Sequence, residues 1–292
     1  MTRGLSCYTE SLAAYLDGEW DADELVARSV RLAVRDSAPL AFSHHDPPLD
    51  RLPDGTCLRY AGAPSAGAAL EGVAEELSRH GRAVVVVDNA RLPWSPAYGD
   101  RPAPHWLLLD ERRGDEWHVL DRFSGLLPSG EQEPHVGWLD ERTLRDAMTL
   151  PRFSAAQEQR NRLVFGAPVP VPEGEALWLR REEHGESSEL GDGWLLDDQE
   201  SLHLLADYAG RGGDGAYLED VWAAVGHRAF AYQWRLETND GPREALETAK
   251  KSWEDLPRLL RFAAESGQRS RPRPKLVHAA FDRVLQAEEE LA

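Results

Sequence analysis

Segments typical of β-strands are concentrated in the first half of this 292-residue chain, whereas helical periodicity dominates the second half. The first half holds short β-branched or alternating runs bounded by turn-forming residues. The second half carries apolar residues at helical spacing over about residues 196–208, 217–235, 242–265 and 275–291. We therefore predict an α+β protein with a mixed domain over residues 1–150 and a mainly helical domain over residues 151–292.

Three finer features accompany this division. A helix is expected over residues 22–34, within the mixed domain. Pro257 is expected to kink or split one of the long helices. Aromatic side chains at spacings that bury them between helices are expected in the helical core: Trp222, Phe230, Trp234, Trp253 and Phe262.

Composition indicates a folded, acidic protein. The hydrophobic fraction is 41% and the chain holds ten tryptophans, which argues against disorder. The net charge of −18 disfavours binding to nucleic acid, because phosphate backbones would be repelled. We expect no membrane span, since no apolar run approaches the roughly 18 residues that one requires. The first residues lack the basic and apolar regions of a signal peptide, so we expect a cytoplasmic protein.

The two cysteines, Cys7 and Cys57, are too few for a disulfide framework. Cys57 is interpreted as a small strand residue. His44 and His45 fall in a predicted loop with no further ligand cluster near them, so we expect no metal site.

Cys7 lies where a helix is predicted to begin. Ser6 is a plausible N-cap, and apolar residues follow at helical spacing up to Leu16. A thiol at a helix N-terminus is favoured as thiolate, the reactive form, by the unpaired N–H groups and the helix dipole. The alternative is an inert, buried cysteine in an N-terminal helix.

His105 and Asp121 are predicted to lie on the two strands of one hairpin. If Asp110 pairs with Glu116 across the turn, then His105 faces Asp121 directly and both share a face of the sheet. A slip of one residue would place the two on opposite faces. The alternative is a histidine at a strand end and a solvated aspartate.

Together, Cys7, His105 and Asp121 have the chemistry of a nucleophilic triad. The thiolate attacks, the imidazole moves protons and the carboxylate orients the ring. A buried strand over residues 84–87 is expected to end at Asp88, next to a loop with Trp94 and Tyr98. These three side chains either shape an acyl or acceptor pocket or form a capped strand end covered by aromatic rings.

Three segments of the first half resemble the family of the butirosin biosynthesis protein H, whose N-terminal domain is papain-like. They are Cys7-Tyr8-Thr9-Glu10-Ser11-Leu12, Val84–Asp88 followed by Leu92-Pro93-Trp94, and Pro104–Asp110 with Asp121 beyond. The resemblance implies a papain-like domain followed by a helical region. It also implies an acyltransferase of natural-product biosynthesis, which takes an acyl group from a carrier-protein thioester and gives it to an amine.

By this resemblance Cys7 is the nucleophile, His105 the base and Asp121 the orienting acid. The implied partners are an acyl or peptidyl carrier protein and a small amine acceptor, and the phosphopantetheine arm of the carrier is the donor group in place of a cofactor. A basic stretch over residues 268–275 suits docking of an acidic carrier or a solvated loop.

One departure is plain. Papain-like enzymes place an oxyanion-hole glutamine six residues before the cysteine, and that position here is Met1. The oxyanion donors must therefore come from elsewhere, for example the backbone N–H of Cys7. Three alternatives remain: a thioesterase or peptidase, a peptide cyclase, and a non-catalytic papain-like binding scaffold.

Overall fold

The computed structural model describes residues 5–100, 102–127, 130–149, 155–166, 169–183, 190–211 and 217–291. The helices are α1 Cys7–Leu16, α2 Ala22–Ser29, α3 Ala66–His80, α4 Glu141–Met148, α5 Ala155–Phe165, α6 Asp198–Gly210, α7 Tyr217–Thr238, α8 Arg243–Gln268 and α9 Pro274–Glu289. The strands are β1 Val30–Arg35, β2 Ala41–His45, β3 Cys57–Ala63, β4 Ala83–Asp88, β5 Pro104–Arg113, β6 Glu116–Asp121, β7 Gly125–Leu127, β8 Gly130–Gln132, β9 His135–Asp140, β10 Ala176–Glu182 and β11 Trp194–Leu195. The predicted α+β class is confirmed, with antiparallel pairing in each sheet.

The chain forms two compact units, but they do not follow the predicted division at residue 150. The first unit contains Met1–Ala22 and Pro47–Glu189, and the second contains Asp23–Asp46 and Leu190–Ala292. Residues 23–46 belong to the second unit because β1 and β2 supply Leu32, Val34 and Phe42 to its helical core. Residues 23–46 therefore belong to the second unit because their apolar side chains are buried against α6 to α9, although they precede most of the first unit in the sequence.

The predicted helix over residues 22–34 is correct only in its first part. It ends at Ser29, and the chain continues as β1. Tertiary packing overrides helical propensity here, since Leu32 and Val34 are fully buried against the helices of the second unit.

A six-stranded antiparallel sheet with the order β3-β10-β4-β5-β6-β9 is the centre of the first unit. Leu107 and Leu109 of β5 pack with the buried residues of α3 and α4. Trp106, between His105 and Leu107, instead stacks on Tyr8 of α1, with ring centroids 4.1 Å apart. Because alternate side chains of a strand point to opposite faces, α1 lies on one face of the sheet, and α3 with α4 on the other.

The second unit contains four long helices, α6 to α9, with a three-stranded sheet of order β11-β1-β2. Pro257 was predicted to kink or split a helix, and α8 runs through it without interruption, so the split does not occur. Trp253 is buried as predicted, whereas Trp222 and Phe262 are 48% and 53% exposed and do not belong to the core. Both lie on the outward side of helices whose core-facing positions are filled by smaller apolar residues such as Ala224 and Leu260.

None of the described helices combines the length and the apolar character that crossing a bilayer requires.

Candidate functional site

Cys7 is the first residue of α1, as the sequence predicts. Ser6 adopts the extended conformation of an N-cap, and its hydroxyl accepts a hydrogen bond of 3.2 Å from the backbone N–H of Thr9. The first-turn N–H groups of a helix have no partners within the helix, so their positive ends concentrate around Cys7. Taken as a whole, the Cys7 residue is partly buried.

His105 and Asp121 lie at neighbouring strand ends: His105 is the second residue of β5 and Asp121 is the last of β6. The predicted direct pairing is wrong. Leu108 pairs with Leu120 and Leu109 with Val119, and continuing this register sets His105 two residues away from direct opposition to Asp121. The two are therefore diagonal neighbours, which still share a face because strand side chains alternate with a period of two.

A bulge in the hairpin preserves this shared face. Near the turn, Arg113 pairs with Glu116 and Arg112 with Trp117, in a register one residue different from that beside the site. Had that register continued, His105 and Asp121 would lie on opposite faces. The extra residue between Leu109 and Glu111 forms a β-bulge, which changes the register by one residue. The side chains of His105 and Asp121 therefore lie on the same face of the sheet.

The three predicted catalytic residues meet in the first unit. Nε2 of His105 lies 3.0 Å from Oδ2 of Asp121, and both side chains are almost completely buried. The N–H direction is off the line to this oxygen, so the contact is an ion pair more than a well-aligned hydrogen bond. The His105 imidazole also interacts with the Cys7 thiol, and this interaction lowers the pKa of the thiol and raises the pKa of the ring.

The electrostatics of the site favour a thiolate–imidazolium pair. Burial alone would raise the pKa of Cys7, but the hydrogen bond from His105 and the positive charges of His105 and Arg160 outweigh it, and the pKa is lowered. Burial would lower the pKa of His105, but the charge of Asp121 and the contact with Cys7 raise it to about 10. Burial would likewise raise the pKa of Asp121, which the charge of His105 lowers instead.

The Asp121 carboxylate is fixed by donors that the hairpin argument did not include. Trp94 Nε1 and Gln132 Nε2 donate to Oδ2 over 3.0 and 2.9 Å, and the backbone N–H of Phe123 donates to Oδ1 over 3.2 Å. Gln132 was missed because it lies on the short strand β8, where the sequence gives no catalytic pattern. Trp94 also stacks on His135, with ring centroids 4.0 Å apart.

The three predicted substrate-binding residues have different environments. Asp88 is buried and caps the turn after β4: its Oδ1 accepts from the backbone N–H groups of Ala90 and Ala103. This is the capped strand end that the sequence left as an alternative. Trp94 contacts Asp121, which makes it a support of the triad. Tyr98 is 61% exposed.

Helix α5 contributes residues that no sequence pattern indicated. Arg160 donates a hydrogen bond from Nη1 to the backbone oxygen of Pro104, directly before His105. Gln157 accepts a hydrogen bond from the hydroxyl of Tyr8, directly after Cys7, and donates to Tyr60 over 2.9 Å. One helix therefore contacts both chain segments that carry the cysteine and the histidine.

The remaining predicted features lie apart from this triad. Cys57 is a buried residue at the start of β3, as expected. His44 and His45 are buried in β2, where a loop was predicted, because that strand packs into the second unit. Among the described residues, no group of three or more His, Cys, Asp and Glu side chains is arranged to hold a metal ion. Met1, at the position of the expected glutamine, lies outside the described residues.

No protein-family model matches this chain, and no curated protein is significantly similar to it.

Proposed function

We propose that the protein is a cysteine-dependent acyltransferase of natural-product biosynthesis, with Cys7 as nucleophile, His105 as base and Asp121 as the residue that orients and charges the imidazole. The observation that carries the proposal is the contact chain from the Cys7 thiol through His105 to the buried Asp121 carboxylate. A cysteine, a histidine and a carboxylate in contact activate a nucleophile.

The fold of the first unit supports a papain-like assignment. The nucleophile begins a helix packed against an antiparallel sheet, and the base and acid come from adjacent strands of that sheet. Trp94 donates a hydrogen bond to the Asp121 carboxylate of the His105–Asp121 pair. The resemblance of these segments to the butirosin biosynthesis protein H family supplies the reaction class and the carrier-protein donor.

The reaction proceeds in two steps on Cys7. The thiolate attacks the thioester carbonyl carbon of the donor, a C–S bond forms, and the carbonyl π electrons move to oxygen. Collapse of this intermediate expels the carrier thiolate, which takes a proton from the His105 imidazolium. The acceptor amine then attacks the acyl-enzyme and gives a proton to His105, and Cys7 leaves as thiolate with formation of an amide.

The missing glutamine is more compatible with a thioester donor than with a peptide substrate. A thioester is already activated, so its transfer requires less oxyanion stabilisation than amide hydrolysis, for which one lost donor costs on the order of 100-fold in rate. The backbone N–H groups at the start of α1 are available for the remaining stabilisation. The proposal keeps the expected cytoplasmic address, because carrier-bound donors are made there.

The decisive experiment is an acylation assay on the full chain. Wild type and Cys7→Ala are incubated with an acyl-carrier thioester, and the intact mass is measured with Cys57→Ala as the matched control. We expect one acyl adduct on wild type and on Cys57→Ala and none on Cys7→Ala. An adduct or turnover that persists in Cys7→Ala removes Cys7 from the mechanism.

Product analysis then separates the alternatives. Release of the acyl group as an amide in the presence of a free amine identifies a transferase. Release as a free acid under the same conditions identifies a thioesterase or peptidase. A product that is lighter than this free acid by the mass of one water identifies a cyclase. A Cys7 thiol that shows an ordinary pKa in an alkylation titration, near 8.5, identifies a non-catalytic scaffold.

A further inference from the structure

Arg160 is placed to act on both reacting side chains. Through Nη1 it holds the backbone oxygen of Pro104, and Pro104 is bonded to His105 at the start of β5. Gln157, three residues earlier on α5, holds Tyr8 beside Cys7. The helix thus ties the first turn of α1 to the first residues of β5.

Among the residues that the structure describes, no carboxylate forms an ion pair with the Arg160 guanidinium, and the anion on which its charge acts is the Cys7 thiolate. Its one hydrogen bond goes to a neutral carbonyl, so the charge is not cancelled by the contact that fixes it. The positive charge acts directly on the Cys7 sulfur, where it favours the anionic form. The side chain is partly exposed, so this charge also reaches reagents that approach from solvent.

We propose that Arg160 is a positioning residue of this site, which ties the strand of His105 to α5 and presents a positive charge to anionic acyl donors that approach Cys7. This inference rests on the proposed acyl transfer for the identity of the donor. Its physical content is a field at Cys7, which is measurable without any acyl donor. An acyl group that itself carries a carboxylate, such as a succinyl group, fits such a field because its negative charge lies close to the thioester carbon.

The test compares an anionic with a neutral alkylating reagent. Rates of Cys7 modification by iodoacetate and by iodoacetamide are measured on the full chain carrying Cys57→Ala, with the modified residue located by mass. Arg160→Met removes the charge and keeps the aliphatic stem, and Arg160→Lys keeps the charge. Arg162→Met is the matched control, since it removes the same charge from the same helix two residues further on.

We expect Arg160→Met to lower the iodoacetate-to-iodoacetamide rate ratio about tenfold, as electrostatic steering of an anion by one nearby charge predicts. The pH midpoint of alkylation is expected to rise in the same variant. Arg160→Lys and Arg162→Met are expected to keep the ratio within about twofold of the unsubstituted Arg160 protein. A purely structural role would slow both reagents equally and leave the ratio unchanged.

An unchanged ratio in a folded Arg160→Met protein overturns the proposal, and so does an equal fall in Arg162→Met. If Arg160→Met does not fold, Arg160→Gln, which removes the charge and keeps an N–H donor for the oxygen of Pro104, takes its place. An unchanged ratio in Arg160→Gln overturns the proposal. An Arg160 effect on alkylation without any acyl adduct refutes the acyltransferase function and leaves the field at Cys7 established. Where adducts form, the succinyl thioester of N-acetylcysteamine should acylate Cys7 faster than the butyryl thioester in the protein with Arg160. This difference in rate should disappear in Arg160→Met. The same preference in both proteins refutes selection of anionic donors by Arg160.

Discussion

Replacing Asp121 by asparagine removes one buried charge from the site and keeps a side chain of nearly the same shape. Two unit charges 3.0 Å apart, the separation of His105 Nε2 and Asp121 Oδ2, attract with about 5.5 kcal/mol at an effective dielectric constant of about 20. The pKa of His105, raised from 6.5 to about 10, corresponds to about 5 kcal/mol in favour of the imidazolium. Burial opposes this rise in the pKa of His105, and the charge of Asp121 is the largest of the contributions that produce it.

Without the carboxylate charge, burial dominates the ionisation of His105, and its pKa falls. The Cys7 thiolate then loses its cationic partner, and its own pKa rises. Loss of about half of that free energy lowers the thiolate-to-thiol ratio about 100-fold, which raises the pH midpoint of alkylation by about two units. We therefore expect this midpoint to rise by about two pH units in Asp121→Asn, with a fall of about 100-fold in the alkylation rate of Cys7 only at a pH below both midpoints.

The assay is alkylation of Cys7 by iodoacetamide from about pH 5 to about pH 10, in a Cys57→Ala background, followed by intact mass. Asp110→Asn is the matched control, because Asp110 Oδ1 contacts His118 Nδ1 at 2.6 Å on the same two strands, outside the triad. If folded Asp121→Asn shows the same pH midpoint of Cys7 alkylation as the protein with Asp121 intact, this expectation is refuted. An equal shift in Asp110→Asn would show that the effect is not specific to the triad.

Trp94→Phe and Gln132→Leu each remove one hydrogen-bond donor to the buried Asp121 carboxylate. Urea denaturation should therefore show that each variant loses about 1.5–3 kcal/mol in the free energy of unfolding. Losses below about 0.5 kcal/mol would contradict this support of the carboxylate. Burial lowers the pKa of His227 well below 6.5, so the unfolded chain binds more protons than the folded one in acid. The free energy of unfolding should therefore fall by up to about 1.4 kcal/mol per pH unit below pH 6.5, and this slope should be smaller in His227→Phe. Arg269 and Arg271 are exposed between α8 and α9. Replacing both by glutamate should slow acylation of the protein by an acidic carrier thioester and leave its acylation by a small thioester unchanged. Equal slowing of the two acylation reactions would exclude docking of the carrier at these arginines.

Local sequence determines the start of α1 and the chemistry placed there. The Ser6 side chain satisfies an N–H of the first turn, so Cys7 occupies the helix N-terminus whatever the rest of the chain does. The buried strand β4 and the strand pair of His105 and Asp121 are likewise readable from β-branched runs and alternation. Alternation along the two strands does not by itself fix the shared face of His105 and Asp121, because that face depends on the bulge between Leu109 and Glu111.

The tertiary structure decides what parity alone leaves open. The bulge after Leu109 changes the register, because pairing depends on how each side chain packs against the neighbouring strands and helices. Asp88 caps a turn, and Trp94 donates a hydrogen bond to Asp121. Both residues lie at or after the end of the same buried strand, and the sequence alone does not distinguish a turn-capping residue from one that supports the triad. Arg160 and Gln132 reach the site through packing of distant segments, and residues 23–46 join the second unit because their apolar side chains are buried there. Contacts between segments far apart in the chain carry no local sequence signal, which is why the nucleophile was identifiable from the sequence and its supporting residues were not.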